Sequence, residues 1–284
     1  MGRTVIPALA LLTVAFVWGA TFYFVREALK DIGPFHFLFY RFLLASLFLL
    51  ALSLKERPFR TRKTIAHGFT AGLILFGGYA FQTLGLKFTS ASKAAFITGL
   101  SVVIVPLGEA LLTKKSPPVP VLFSTGLAAT GLGLLSLEGS FTLSPGDWLV
   151  LLCAFCFAGH VLFIDRVTHL HSSSKLALVQ LLTVGLLSVP FLPLEVSPVI
   201  WSARVAEALL LTAILATSVA FIIQLKVQRY LSAAATAVIL ATEPVFGALI
   251  AYTLGGEILT AKQLLGCAFI FVSMLFIQTA AKKF

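Results

Sequence analysis

This sequence predicts an all-α, polytopic membrane protein of about ten transmembrane helices, and three observations carry that prediction. Of its 284 residues, 59% are hydrophobic and 11% are charged, where a soluble domain carries about 25% charged residues. So little polar surface cannot cover a globule in water, which makes lipid the natural solvent. Apolar stretches of about 20 residues, enough to cross the hydrocarbon core as helix, follow one another along the chain. Glycine, proline or charged residues separate them.

The ten predicted spans are Ile6–Val25, Pro34–Leu54, Ile65–Gly85, Ala91–Leu112, Val119–Leu137, Asp147–Ile164, Ser174–Leu192, Ala206–Val227, Ser232–Leu254 and Thr260–Thr279. The first follows Arg3 and is long for the apolar region of a secretory signal, so it reads as a retained helix. Gly33-Pro34 opens the second, and the charged run Lys55–Lys63 closes it. The third and fourth are joined by only a few residues around Lys87 and Ser90. Lys114–Pro120, Ser144–Gly146, Arg166–Ser173, Pro193–Arg204 and Gly255–Glu257 punctuate the rest.

Lys and Arg set the expected orientation. With the N-terminus inside, the inner side holds Arg3, the dense group Lys55, Arg57, Arg60, Arg62 and Lys63, then Lys114, Lys115, Arg166, Lys175, Lys226, Arg229, Lys282 and Lys283. The outer loops hold the sparser set Arg26, Lys30, Lys87, Lys93, Arg204 and Lys262. Basic loops stay cytoplasmic, so both termini are expected in the cytoplasm and the number of spans is even. The formal net charge of +10 follows from the same bias, and no basic and aromatic cluster reads as a nucleic-acid platform. Cys153 and Cys156 form a C-x-x-C inside an apolar run, where small packing residues are the simpler reading.

The two halves resemble each other. At an offset of 142 residues, Gln82 meets Gln224, Ser90 meets Ser232, Ala91 meets Ala233 and Ile97 meets Ile239. At an offset of 139, Ala15-Phe16-Val17-Trp18 meets Ala154-Phe155-Cys156-Phe157, and Arg41 meets Gln180. Two five-span units follow, residues 1–138 and 139–284. An odd number of spans per unit forces the second to enter from the opposite side, the inverted-repeat plan of many secondary transporters.

Several segments carry a family resemblance: Phe16-Val17-Trp18-Gly19-Ala20-Thr21, Tyr40-Arg41-Phe42-Leu43-Leu44-Ala45, the run from Ser90 to Leu100 with Val105-Pro106, and the run from Ser232 to Glu243-Pro244-Val245-Phe246. In these the chain resembles the EamA family of the drug/metabolite transporter superfamily over nearly its full length. Gly255-Gly256-Glu257 and Thr260 resemble the family's loop into the last span, whereas Leu111–Lys115 departs from the Gly-Glu pair often found at the end of the first unit. The resemblance implies two inverted repeats and transport of amino acids, other metabolites or drugs, often outward.

Ionisable groups at membrane depth cost about 2.5–3.5 kcal/mol on insertion scales, so each needs a reason. Glu243 lies about 11 residues, roughly 17 Å, into the ninth span. Pro244 beside it has no N–H for the carbonyl near Leu240. That pair suits an ammonium group or a proton, or else a structural bond to a neighbouring helix. Pro106 is expected to break the fourth span at a corresponding place. Arg41 can meet a substrate carboxylate, a carbonyl, or a carboxylate such as Glu27. Trp18 and His160 fall near mid-membrane, and Tyr79, Gln82, Thr98 and Gln224 are further polar candidates for a path. Gly68, Gly72, Gly77 and Gly131 read as close-packing positions, and His169 and His171 as solvated loop residues.

No phosphate-binding loop or Cys/His/carboxylate cluster appears in the sequence, so no cofactor, metal or catalytic role is expected. The expectation is a secondary transporter for small organic solutes, an amino-acid or metabolite exporter of the inner (plasma) membrane working by alternating access, with proton coupling as one option. A multidrug exporter, a nucleotide-sugar carrier and a non-transporting sensor or scaffold are the alternatives. The oligomeric state is left open.

Overall fold

A computed structural model describes residues 2–53, 62–89, 91–136, 144–195, 197–255 and 259–280. The expected loop charges Lys55, Arg57, Arg60, Lys282 and Lys283, with Ser90, Gly256 and Glu257, lie outside these residues. Among the described residues there are helices and turns and no strand. The first three spans are α1 (Gly2–Ala28), α2 (Pro34–Ser53) and α3 (Arg62–Gly85). The fourth comes in two pieces, α4 (Ala91–Gly99) and α5 (Ser101–Thr113). Then follow α6 (Val119–Ser136), α7 (Pro145–Val167) and α8 (Ser173–Ser188), the last ending in a 3-10 segment, Val189–Leu194. The eighth span joins α9 (Ala203–Leu210), a π-helical segment Leu211–Val219 and α10 (Ala220–Val227). The ninth is split into α11 (Ala233–Leu240) and α12 (Glu243–Gly255), and the tenth is α13 (Ala261–Ala280).

Eight of these spans are long and apolar enough to cross a membrane, and Val119–Leu135 and Ala261–Ile277 are shorter apolar helices. Those two still supply roughly 25 Å of helix each, close to the hydrocarbon thickness. The protein is a multi-pass membrane protein of about ten helices. Its outside is as apolar as its inside: Leu44, Leu47 and Leu50 on α2, and Ile65, Phe69 and Leu73 on α3, are exposed at helical spacing. Water would drive such stripes together, and lipid accepts them.

Packing in lipid depends on close approach and on satisfied helix ends. A Cβ at Gly131 would sit 2.7 Å from the Gly266 carbonyl oxygen and 3.0 Å from the Ile270 nitrogen, so α6 and α13 meet backbone to backbone. Gly72 does the same against α8, where a Cβ would lie 2.6 Å from the Gln180 carbonyl oxygen. Gly77 faces the Cys156 sulfur across α3 and α7, and all three cysteines are free. One expected break moves. The fourth span is interrupted at Leu100, whose carbonyl accepts from both Val103 and Ile104, and Pro106 lies buried inside α5. A proline removes a single bond, to the carbonyl four residues back, and α5 continues through that loss.

The helix ends are tied by side chains from distant parts of the chain. At the face where α1 ends, the Glu195 carboxylate accepts from the backbone N–H groups of Phe35 (2.8 Å) and His36 (3.0 Å) and lies 2.6 Å from His36 Nδ1. It caps the positive end of α2 from about 160 residues away, a charge-assisted and favourable placement. Nearby, Asp31 accepts from Ser202 at 2.5 Å and pairs with Arg204 at 3.2 Å. Asp147 closes a capping box with Ser144, accepts from Thr89, and pairs with Lys93 at 3.5 Å. Glu27 takes Lys30 and Arg204 and makes no pair with Arg41.

At the opposite face, His171 is half-buried, contrary to its expected solvation. Its Nε2 lies 2.7 Å from His67 Nδ1, its Nδ1 lies 3.0 Å from Thr64 Oγ1, and its carbonyl accepts from Arg229. Burial first, then His67 and His169, hold this imidazole below its ordinary 6.5.

Two predictions follow from this packing. Gly131→Leu should destabilise the protein by about 1–3 kcal/mol through overpacking, whereas Gly126→Leu, where a Cβ meets nothing within 4 Å, should be silent. Equal melting temperatures in detergent for the two variants would refute the close α6–α13 contact as a determinant of stability. The second concerns pH. Because the folded His171 releases its proton more readily than the unfolded one, its contribution is fully present above 6.5 and is lost as pH falls below that value. His171→Gln should flatten the loss of melting temperature on acidification, and an unchanged slope would count against it.

Candidate functional site

The two broken spans and the π-helical one meet at a central cavity. Residues from α1, α2, α3, α4, α5, α7, α10, α11 and α12 line it. All eight polar candidates from the sequence reach it: Trp18, Arg41, Tyr79, Gln82, Thr98, His160, Gln224 and Glu243. Pro244 lines it as well, and Pro106 does not.

The π segment anchors two of them. In a π turn the hydrogen bonds run to the fifth residue and the backbone bulges, a geometry concentrated at functional sites. Trp18 Nε1 donates to the carbonyl of Ala216 at 2.7 Å, and Arg41 Nε donates to Thr217 Oγ1 at 2.8 Å. Ser218 beside them donates to the carbonyls of Ala45 (3.1 Å) and Ala213 (2.8 Å). The Arg41 guanidinium also lies 4.8 Å from the Tyr79 ring centre and 5.4 Å from that of Phe42, a stacked cation that needs little water. Tyr79 is itself held edge-to-face by Phe42 and Phe157. Arg41 is 4% exposed.

The other polar groups form short chains. Gln82 donates to Thr98 at 3.3 Å, and Thr98 lies 3.9 Å from the Cys153 sulfur. His160 Nε2 lies 3.0 Å from Gln180 Oε1, an acceptor. Gln224 donates to Gln228 Oε1 at 3.1 Å, and Gln228 donates to the Val161 carbonyl at 3.1 Å. A carbonyl only accepts, so this chain fixes both amides, and it leaves Gln224 Oε1 buried with no hydrogen-bond partner. Glu243 opens α12 at the cavity wall. Among the described residues it makes no side-chain hydrogen bond or ion pair.

Residue numbers give the lining a second order. At the 139-residue offset Trp18 meets Phe157, Thr21 meets His160 and Phe22 meets Val161, and all six line the cavity. At the 142-residue offset Tyr79 meets Phe221, Gln82 meets Gln224 and Ser101 meets Glu243, again all lining. Thr21 and Ser101, absent from the predicted candidates, carry a signal in the sequence through those offsets from His160 and Glu243. Thr217, which holds Arg41, lies at neither offset from a polar candidate and has no local signature.

The class is thus a polytopic membrane protein with polar side chains set in the mostly apolar wall of a cavity. The chain belongs to the EamA-like transporter family, whose model matches residues 5–137 and again residues 144–279. It is 35% identical over 270 residues to an uncharacterized transporter of Archaeoglobus fulgidus, covering 95% of this chain and 85% of that one. A second uncharacterized transporter of the same organism is 27% identical over 254 residues, covering 86% and 87%. A protein of known crystal structure shares the fold with a TM-score of 0.82 at 17% identity, over 98% of this chain and all of that one.

Proposed function

We propose that this membrane transporter is a secondary carrier that moves small organic solutes, amino acids or related metabolites, outward across the inner membrane by alternating access. In this reading residues 1–138 and 139–284 are two inverted units with both termini in the cytoplasm. The supporting observation is the cavity itself, lined by residues at equivalent positions of the two units. A site built between inverted units is open to one side when they tilt one way and to the other when they tilt back. The turns at Leu100 and at Ala241-Thr242, both beside the cavity, are places where the fourth and ninth spans can bend. Glu243, on that border with no side-chain hydrogen bond or ion pair among the described residues, is the group suited to bind a cation or exchange a proton.

Counterflow in proteoliposomes with labelled amino acids and metabolites tests this. Saturable exchange of at least one compound is expected, reduced roughly ten-fold or more by Glu243→Gln, which is about 1.4 kcal/mol. Folded yield of the variant should match wild type. Failure of every compound to exchange on folded wild-type protein would remove the carrier reading, and loss of folded yield would give Glu243 a structural role.

A further inference from the structure

Three of the lining helices show which way the cavity opens. On α3 the lining residues Leu75 and Tyr79 are buried, while Gln82 and Leu86, nearer the face where α1 ends, are half-buried. On α7, which runs the other way, Phe157 is half-buried and Val161 is buried. On α11, which starts at the face where α1 begins, Ala237 is buried and Leu240 is half-buried. Exposure thus rises toward the face where α1 ends. At the other end of the cavity lies an apolar cluster of Val105, Ala158, Val161, Ala233 and Ala237, all buried. Val105 is one turn beyond the lining Ser101, and Ala233 one turn beyond the lining Ala237, both toward the face where α1 begins. Two of its three walls, α5 and α11, are the halves of the fourth and ninth spans that lie beyond the turns at Leu100 and Ala241-Thr242.

We propose that α5 and α11 are a gate that closes the cavity against α7 and opens by bending at those two turns, while α4 and α12 stay in place. The passage it would open serves the carrier reading above. Three observations support it. The backbone is tightened at both turns: the Leu100 N–H is shared between the carbonyls of Phe96 (3.2 Å) and Ile97 (3.1 Å), and the Thr242 N–H reaches back only to Ile239 (3.1 Å). Pro244, just beyond, has no N–H to give, and such tightened turns inside a helix mark hinges. The halves on the near side of the turns are anchored. A Cβ at Gly19 would lie 2.8 Å from the Gly247 nitrogen and against the Glu243 carbonyl, so α12 meets α1 backbone to backbone. Gln82 of α3 donates to Thr98 of α4 at 3.3 Å. The cluster of five, by contrast, is made of small apolar side chains that hold by packing alone. Closure also leaves Thr236 Oγ1 on α11 and Gln224 Oε1 beside it buried without a hydrogen-bond partner among the described residues. Water entering on opening would satisfy both, so the closed arrangement carries a cost that opening relieves.

The test measures distances between paired spin labels by double electron–electron resonance on the full-length protein in lipid nanodiscs, with Cys153, Cys156 and Cys267 replaced by alanine. One pair sits on exposed positions near the ends of α5 and α7, Leu112→Cys with Arg166→Cys. The other sits on α1 and α12, Tyr23→Cys with Tyr252→Cys. The 13 residues of α5 span about 20 Å, so a bend of about 20° carries its end by about 7 Å. Val105→Thr with Ala158→Ser places two hydroxyls in the dry cluster and should raise the ratio of the longer to the shorter α5–α7 distance about ten-fold. Val105→Thr alone, the milder change, should act in the same direction. The α1–α12 distance should stay single throughout. A single, unchanged α5–α7 distance in these variants overturns the gate, and so does an equal change in both pairs, which would mean that the spans tilt whole. Counterflow separates the two readings: no exchange by folded wild-type protein removes the carrier, whereas a second α5–α7 distance keeps the gate.

Discussion

A guanidinium at membrane depth has to be held by the protein, because hydrocarbon offers it neither water nor a counter-ion. How Arg41 is held orders much of the middle of this molecule. Its Nε is taken by Thr217 and its flat face by Tyr79 and Phe42. Those partners come from the third and eighth spans and from α2 itself. Tyr79 is then fixed by Phe157 of the sixth span, and the π segment by Trp18 of the first. A chain of contacts that begins with one charge thus reaches five spans before it closes. Each contact also faces the cavity or its second layer, so the same groups that make Arg41 tolerable give the cavity its wall.

The broken spans follow a related logic. A helix interruption in lipid leaves backbone groups that only protein or a wet cavity can satisfy. Both interruptions fall beside the cavity, at Leu100 and at Ala241-Thr242. In the ninth span the break is marked by Pro244, which lacks an N–H. In the fourth the nearest proline, Pro106, lies six residues further on inside α5, and the break instead follows Gly99, the last residue of α4. The two turns therefore arise beside the cavity by different local means.

This contrast explains what could be read beforehand. The spans were legible because length and hydropathy are the constraints lipid imposes directly. Glu243 and Arg41 were legible because a charge inside a span is expensive enough to stand out. The break at Leu100 was not, since only a proline looked like a break, and no residue in the run Leu211–Val219 announces a π turn. The Glu195 cap on α2 and the His67–His171 contact were hidden for another reason. They join positions more than 100 residues apart, and a single sequence carries periodicity and composition but no record of such pairings. Thr217 belongs with these: a threonine in an apolar span is ordinary until the arginine it holds is known.

The two faces of the molecule show unlike contacts among the described residues. Where α1 ends, carboxylates close the structure: Glu195 on the α2 terminus, Asp31 on Ser202 and Arg204, Asp147 on Ser144 and Lys93. Where α1 begins, the contacts among the described residues include His67, His171 and Thr64, with Arg229 on the His171 carbonyl. Charge-assisted bonds are roughly twice as strong as neutral ones and are lost only in acid. A neutral imidazole contact is weaker and weakens already below 6.5. Among these contacts, acid acts first on those where α1 begins.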